Sequence, residues 1–164
     1  MRSLWRTNKE IADIYDRHAG TVYRVCMLFF RGSAPDAEDA VQTTFLKLMK
    51  DATQFSGAEH EKAWLIVTAS NVCRNVLSSG WKKRVDMDEA ALLTREAPFC
   101  ADETLESVMA LPDRYKTAIY MYYYEGYSCR EIAASMGKRE HSVWGYLHAG
   151  RRLLKDTLKE EMRL

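Results

Sequence analysis

The chain has 164 residues, 47% hydrophobic and 29% charged, a globular composition that excludes a wholly disordered protein. The length fits one ordinary domain or two small ones, each with a thin core. With 24 Lys and Arg against 23 Asp and Glu, the net charge is +1. A nucleic-acid role, which calls for a basic surface, therefore requires opposite charges to be segregated along the chain.

Val, Ile and Thr nowhere alternate with polar residues for long, and only three prolines occur, so the chain reads as mostly or wholly helical. The spacing predicts a first helix over Lys9–Phe30, with Ile11, Ile14, Tyr15, His18, Val22, Val25 and Phe29 on one face. Arg31-Gly32-Ser33-Ala34-Pro35 ends it. His18, on that apolar face, reads as a satisfied core histidine. A second helix starts near Asp36, and Ala37, Ala40, Val41, Phe45 and Leu48 form its buried stripe. Asp36, Glu38 and Asp39 occupy its first turn, where carboxylates suit the positive end of the helix dipole.

After a break at Gln54–Gly57, a third helix runs from about Glu59 to Ser78, burying Ala63, Ile66, Val67, Ser70, Cys73 and Leu77. Ser78-Ser79-Gly80 stops it, and Trp81-Lys82-Lys83-Arg84 follows. The cations can attract phosphate and Trp81 can stack on an unpaired base. The same residues fit a helix C-terminus whose cations complement the dipole. Residues 85–106 carry seven carboxylates against Arg95, a net of −6, and read as a linker.

Leu111-Pro112-Asp113 opens a second helical block, with Tyr115, Ala118, Ile119, Tyr122 and Tyr123 on one face and a turn at Glu125-Gly126-Tyr127. Ser128 and Glu131 form a capping box for a short helix that buries Ile132, Ala133 and Met136 and ends at Gly137. A last helix covers about Arg139–Lys155, with Val143, Leu147, Gly150 and Leu154 inward. A capped short helix, a glycine turn and a longer amphipathic helix outline a helix-turn-helix, whose second helix enters the major groove. Lys138, Arg139, His141, Ser142, Gly145, Tyr146 and Ala149 are then left pointing outward, able to face phosphates or bases. Tyr127–Lys155, which includes Arg151, carries a net +4. A plain helical hairpin with a solvated charged face fits the same pattern.

Cys26, Cys73, Cys100 and Cys129 include no CxxC pair, so a metal site or disulfide framework is not expected and reduced thiols are. No Gly-rich phosphate loop, HExxH or GxSxG is present, so neither catalysis nor a cofactor is expected. The first residues have no apolar core suited to a signal peptide, and no apolar run approaches the roughly 20 residues that cross a bilayer. A cytoplasmic protein without membrane insertion is expected.

Taken in order, IYDRHAGTVYRVCMLFF, DAEDAVQTTFLKLMKDATQF, KAWLIVTASNVCRNVL and LPDRYKTAIYMYYYEGYSCREIAASMG resemble successive segments of the extracytoplasmic-function-type sigma factors of bacterial RNA polymerase. The resemblance spans about residues 11–84 and 107–158. It implies an all-α fold of two small helical domains, the second a helix-turn-helix in a winged-helix-like bundle of three to four helices. An N-terminal domain of residues 1–84, an acidic flexible linker of 85–106 and a C-terminal domain of 107–164 follow from it. It further implies that Asp36, Glu38, Asp39, Gln42, Phe45 and Lys47 dock on the polymerase clamp helices. Lys62, Asn71, Asn75, Lys82, Lys83 and Arg84 would meet the downstream promoter element, where a base is captured outside the stack. Arg130, Lys138, Arg139, His141, Ser142, Tyr146 and Arg151 would meet the upstream element. A hydrophobic groove around Ile119, Tyr122, Tyr123 and Leu154 would serve the polymerase flap, the linker would thread the RNA channel as a polyanion mimic, and an anti-sigma factor is an implied partner.

The chain departs from the family pattern at several points. Arg139 stands at a helix-cap position usually held by serine, Trp144 and Tyr146 replace the usual lysine and arginine, and Gly150 replaces a common alanine at an expected cost of about 0.5–1 kcal/mol. A second reading is a helix-turn-helix regulator that does not engage polymerase, against which the acidic pattern of Asp36–Lys50 speaks, and the Trp144 and Tyr146 departures keep in view a third, a polymerase-binding adaptor that does not specify promoters.

Overall fold

The computed structural model describes residues 6–31, 33–79 and 103–162. Trp81, Lys82, Lys83, Arg84, Cys100 and most of the expected linker lie outside the described residues, and its last positions, 103–106, fall in a helix, Glu103–Met109. The chain divides into two compact units, Met1–Phe99 and Cys100–Leu164. Every regular element among the described residues is helical and none is a strand, so any kinship with winged helices there is confined to helices.

In the first unit, α1 (Asn8–Phe30), α2 (Ala34–Lys50) and α3 (Ala58–Ser78) each pack on the other two. Thr7 caps α1: its hydroxyl accepts from the Glu10 N–H at 3.1 Å while Glu10 accepts from the Thr7 N–H at 3.0 Å. This capping box fixes the helix start. Arg31 ends α1 in the left-handed region at φ 51°, ahead of the glycine expected to do so. Pro35 stands in the first turn of α2, where its fixed φ suits a helix start and its missing N–H costs nothing. The core comes from one stripe of each helix, with Val22, Met27, Leu28, Leu48, Leu65 and Ile66 nearly or wholly inaccessible. Tyr15, expected inside, is 47% exposed, but its ring rests on Phe45 with centroids 4.9 Å apart.

Glu61 is buried in this unit, although charged residues are rarely buried without partners. Its Oε1 accepts from Arg17 Nε and Nη2 at 3.1 and 3.0 Å and from His18 Nε2 at 2.8 Å. His18 is thus a satisfied core histidine, and the cluster ties the first turn of α3 to α1.

In the second unit, α4 (Glu103–Met109) leads to α5 (Asp113–Ile119), which continues directly into a π-helical turn over Tyr120–Tyr124. The Glu125 N–H reaches back five residues to the Tyr120 carbonyl at 3.2 Å. That wider turn shifts the inward face by about a residue. Tyr120 and Met121 are buried, whereas Tyr123, expected inside, is 53% exposed. α6 (Cys129–Met136) has the expected capping box, with the Glu131 N–H donating to Ser128 Oγ at 3.1 Å. Gly137 closes it at φ 64°, a conformation glycine adopts without penalty. α7 (Glu140–Met162) packs on α5 and α6 through Val143 and Leu147.

Gly150 of α7 faces Ile119 at close range. A Cβ there would lie 2.7 Å from both Cδ1 and Cγ1 of Ile119, well inside ordinary carbon contact. The glycine that looked like a cost in the sequence is what lets α5 and α7 approach.

Candidate nucleic-acid interface

The connection from α2 to α3, Asp51–Gly57, is braced by side chains. The Thr53 N–H donates to Asp51 Oδ1 at 2.7 Å. The Asp51 carboxyl titrates below its ordinary value chiefly through a hydrogen bond from the Thr53 side chain, helped by this backbone bond and the Arg6 charge against the opposing effect of burial. Arg6 donates to the carbonyl oxygens of Leu48, Asp51 and Thr53, and its guanidinium lies 4.8 Å from the Phe55 ring centroid. Phe55 in turn meets His60 and Trp64 edge-on, at 5.3 and 5.8 Å. The Ser56 N–H donates to His60 Nδ1 at 3.0 Å.

Beside this connection an open groove of about 410 Å³ is lined by Lys47, Lys50, Asp51, Trp64, Thr68 and Asn71. Its chemistry suits an unpaired nucleotide. Two ammonium groups attract phosphate, a half-buried indole offers a stacking face, and a hydroxyl and an amide can address base edges. Asn71 Oδ1 accepts from Arg74 Nη2 at 2.6 Å, which orients the amide and leaves both of its N–H donors to offer a base. Asn75 is exposed one turn further along α3.

Lys62, expected on DNA, lies half-buried in the first turn of α3, with Nζ 3.5 Å from Glu59 Oε2, and is not among the groove's lining residues. Lys47, expected to dock on polymerase, lines the groove, three turns and about 16 Å along α2 from Asp36.

Glu38, Asp39 and Gln42 lie exposed along the outer face of α2. Asp36 is half-buried, and burial, with some help from the Asp39 charge, raises its carboxyl above the ordinary value against the opposing Ser33 hydrogen bond. Burial and the Glu38 charge likewise raise the Tyr23 hydroxyl. Phe45, expected to face a partner, is only 6% exposed and belongs to the core, because it falls on the stripe with Val41 and Leu48. Leu46, 54% exposed, and Met49, 37% exposed, occupy the outer face instead. The sequence reading missed them, although their positions off the buried stripe were visible in the spacing.

In the second unit Lys138, Arg139 and His141 are exposed where α6 turns into α7, with Ser142 and Tyr146 half-buried along the first turns. The Arg139 carbonyl accepts from the Ser142 and Val143 N–H groups, so its side chain stands at the helix start. Arg130 is exposed on α6. The Tyr146 ring packs 6.2 Å from Tyr115. Arg151 does not join this group. It lies about 16 Å along α7 from Glu140 at the helix start, donates to the Tyr123 hydroxyl, and sits over the Tyr122 and Tyr123 rings at 5.7 and 5.6 Å. Ile119, expected in an open groove, is 1% exposed under Gly150, so it is not available to a partner there.

Among the described residues no cluster of three or more His, Cys, Asp or Glu could hold a metal, and no helix is long and apolar enough to cross a membrane. Cys26, Cys73 and Cys129 are buried and form no disulfide among the described residues.

A helical unit with a cationic, aromatic groove beside an acid-bearing helix is followed by a unit with the helix order of a helix-turn-helix. The family models described as Sigma-70 region 2 and Sigma-70, region 4 match residues 14–83 and 101–154, about three quarters of the chain together. The ECF RNA polymerase sigma factor SigL of Mycobacterium tuberculosis is 28% identical over 156 residues, covering 90% of this chain and 88% of that protein. SigW of Bacillus subtilis is 25% identical, covering 91% and 89%. CarQ of Myxococcus xanthus is 26% identical, covering 90% and 88%. The chain belongs to the sigma-70 family, as a sigma factor of the extracytoplasmic-function type that directs RNA polymerase to promoters and initiates transcription.

Two solved structures share the fold. One is the sigma factor RpoE in complex with the anti-sigma factor NepR from Bartonella quintana, with TM-score 0.61, 18% identity, and coverage of 92% of this chain and 98% of that one. The other is CnrH in complex with the cytosolic domain of CnrY, with TM-score 0.63, 20% identity, and coverage of 94% and 90%.

Proposed function

We propose that the first unit of this sigma factor captures an unpaired promoter base in the groove lined by Lys47, Lys50, Trp64, Thr68 and Asn71, and docks on polymerase through the outer face of α2. The convergence of two cations, an indole and an amide in one groove beside a braced connection carries this reading. The docking face combines Glu38, Asp39 and Gln42 with the exposed Leu46 and Met49. A polar rim sets orientation and apolar anchors supply most of the binding energy. Phe45 supports that face from within.

The second unit reads the upstream element as duplex DNA through Arg130, Lys138, Arg139, His141, Ser142 and Tyr146, with Arg151 left to the tyrosine face. Lys82, Lys83 and Arg84 add phosphate contacts, and the acidic linker, taken as residues 85–106 between domains of 1–84 and 107–164, mimics a polyanion inside polymerase. The role is one of binding, carried out in the cytoplasm where polymerase works. An anti-sigma factor is a further partner, a reading supported by the two complexes that share the fold.

A promoter fork carrying a fluorescent base analogue at successive single-stranded positions tests the groove. Holoenzyme should change the fluorescence sharply at one position, and Asn71→Ala should relax base preference there by about 5- to 100-fold, the worth of one good base contact. Lys50→Ala should weaken binding to all sequences alike. Equal signals at every position would contradict base capture.

A further inference from the structure

Arg6 stands just before α1, yet its side chain is spent on the connection between α2 and α3. Nη1 donates to the Leu48 carbonyl at 3.1 Å and to the Asp51 carbonyl, Nη2 donates to the Thr53 carbonyl, and the guanidinium lies over Phe55. Leu48 belongs to the last turn of α2, at the negative end of the helix dipole, and its carbonyl also accepts from the Asp51 N–H at 3.2 Å. One cation therefore gathers the end of a helix, two carbonyls of the connection and an aromatic ring. A planar fork with five donors and a stacking face can do this, and an ammonium cannot.

The other end of the connection is anchored to α1 as well. The buried Glu61, in the first turn of α3, is held by Arg17 and His18 at 2.8 to 3.1 Å. Asp51–His60 is thus strung between two polar clamps, and Phe55, pinned by Arg6, contacts His60 and Trp64. Asp51 and Trp64 are themselves walls of the groove.

We infer that Arg6 is a positioning residue for promoter recognition: it shapes the Asp51–Gly57 connection so that the Lys47/Lys50/Trp64/Asn71 groove accepts an unpaired base in one orientation. Arg6 acts through Phe55 and three carbonyls and need not touch DNA. The inference rests on the base-capture reading above.

Two measurements on the full-length protein test it, using Arg6→Gln, Arg6→Lys and, as a groove control, Asn71→Ala. Hydrogen exchange in the free chain reports the connection itself. Both Arg6 variants should speed exchange of the amides from Thr53 to Gly57 while leaving those of Val25–Leu28 protected. Base preference of reconstituted holoenzyme on promoter forks reports the consequence. Both variants should lower discrimination at the captured position by roughly 5- to 10-fold, with affinity for core polymerase unchanged. Unaltered exchange in the connection would overturn the inference. So would Arg6→Lys restoring full discrimination, since charge alone would then suffice. If Asn71→Ala leaves base preference intact, the groove reading fails separately. Exchange then still decides whether Arg6 shapes the connection.

Discussion

Gly150→Ala sets helix propensity against packing. In an isolated helix the change stabilises by about 0.8–1.0 kcal/mol. Here the new Cβ would lie 2.7 Å from two side-chain carbons of Ile119, about 1 Å inside normal contact. Ile119 is 1% exposed and β-branched, so it has little room to swing aside. Overpacking of this kind costs about 1–3 kcal/mol, so the net expectation is a loss of about 1 kcal/mol. For a unit of this size that lowers the melting temperature by about 4–8 °C. Denaturation followed at the buried Val143 and Leu147 methyl groups isolates the second unit from the first. Ile119→Val removes Cδ1, one of the two overlapping carbons, so Gly150→Ala should cost less in that background. A higher melting temperature in the single variant, or an equal cost in both backgrounds, would refute the close-packing argument.

On α2, Phe45→Ala should lower stability by about 3–5 kcal/mol through a core cavity, seen in thermal melts. Leu46→Ala should leave the melt within about 0.5 kcal/mol and weaken pull-down with core polymerase. Glu61→Ala should destabilise the first unit by about 2–4 kcal/mol, measured in urea. The lower end of that range reflects the half-exposed Arg17, and the upper end the buried His18. Two carboxylates give opposite pH signatures, separable by NMR titration. Asp51, lowered, contributes stability above its ordinary 3.8 that is lost as pH falls through its folded value. Asp36, raised, favours the fold most when protonated, and that contribution is lost as pH rises through its folded value, so Asp36→Asn should flatten the loss.

Much of the fold was legible because it rests on period and punctuation. The three helices of the first unit and the capped α6 followed from apolar spacing, Pro35, Ser128/Glu131 and Gly137, and their ends moved by a residue or two. The face after Ile119 was misread because a π-helical turn breaks the 3.6-residue period without any marker residue, burying Met121 and turning Tyr123 outward. Gly150 was misread because its reason lies across a helix interface. The Arg17–His18–Glu61 cluster was invisible for the same reason: its partners stand 43 and 44 residues apart. Residue types alone suggested Asn71 as a base contact, but only the fold brings Lys47, Lys50 and Trp64 beside it. Arg151 was grouped with the DNA cations on net charge, and its contacts with Tyr122 and Tyr123 were not legible because they cross from α7 to the π-helical turn.

Sequencing the transcripts that holoenzyme, reconstituted from core polymerase and this chain, makes from its own genomic DNA tests the central claim most directly. The account predicts 5′ ends downstream of one shared pair of elements, with Asn71→Ala relaxing a single base position of the downstream element. No initiation from any fragment, or start sites without shared sequence, would contradict it.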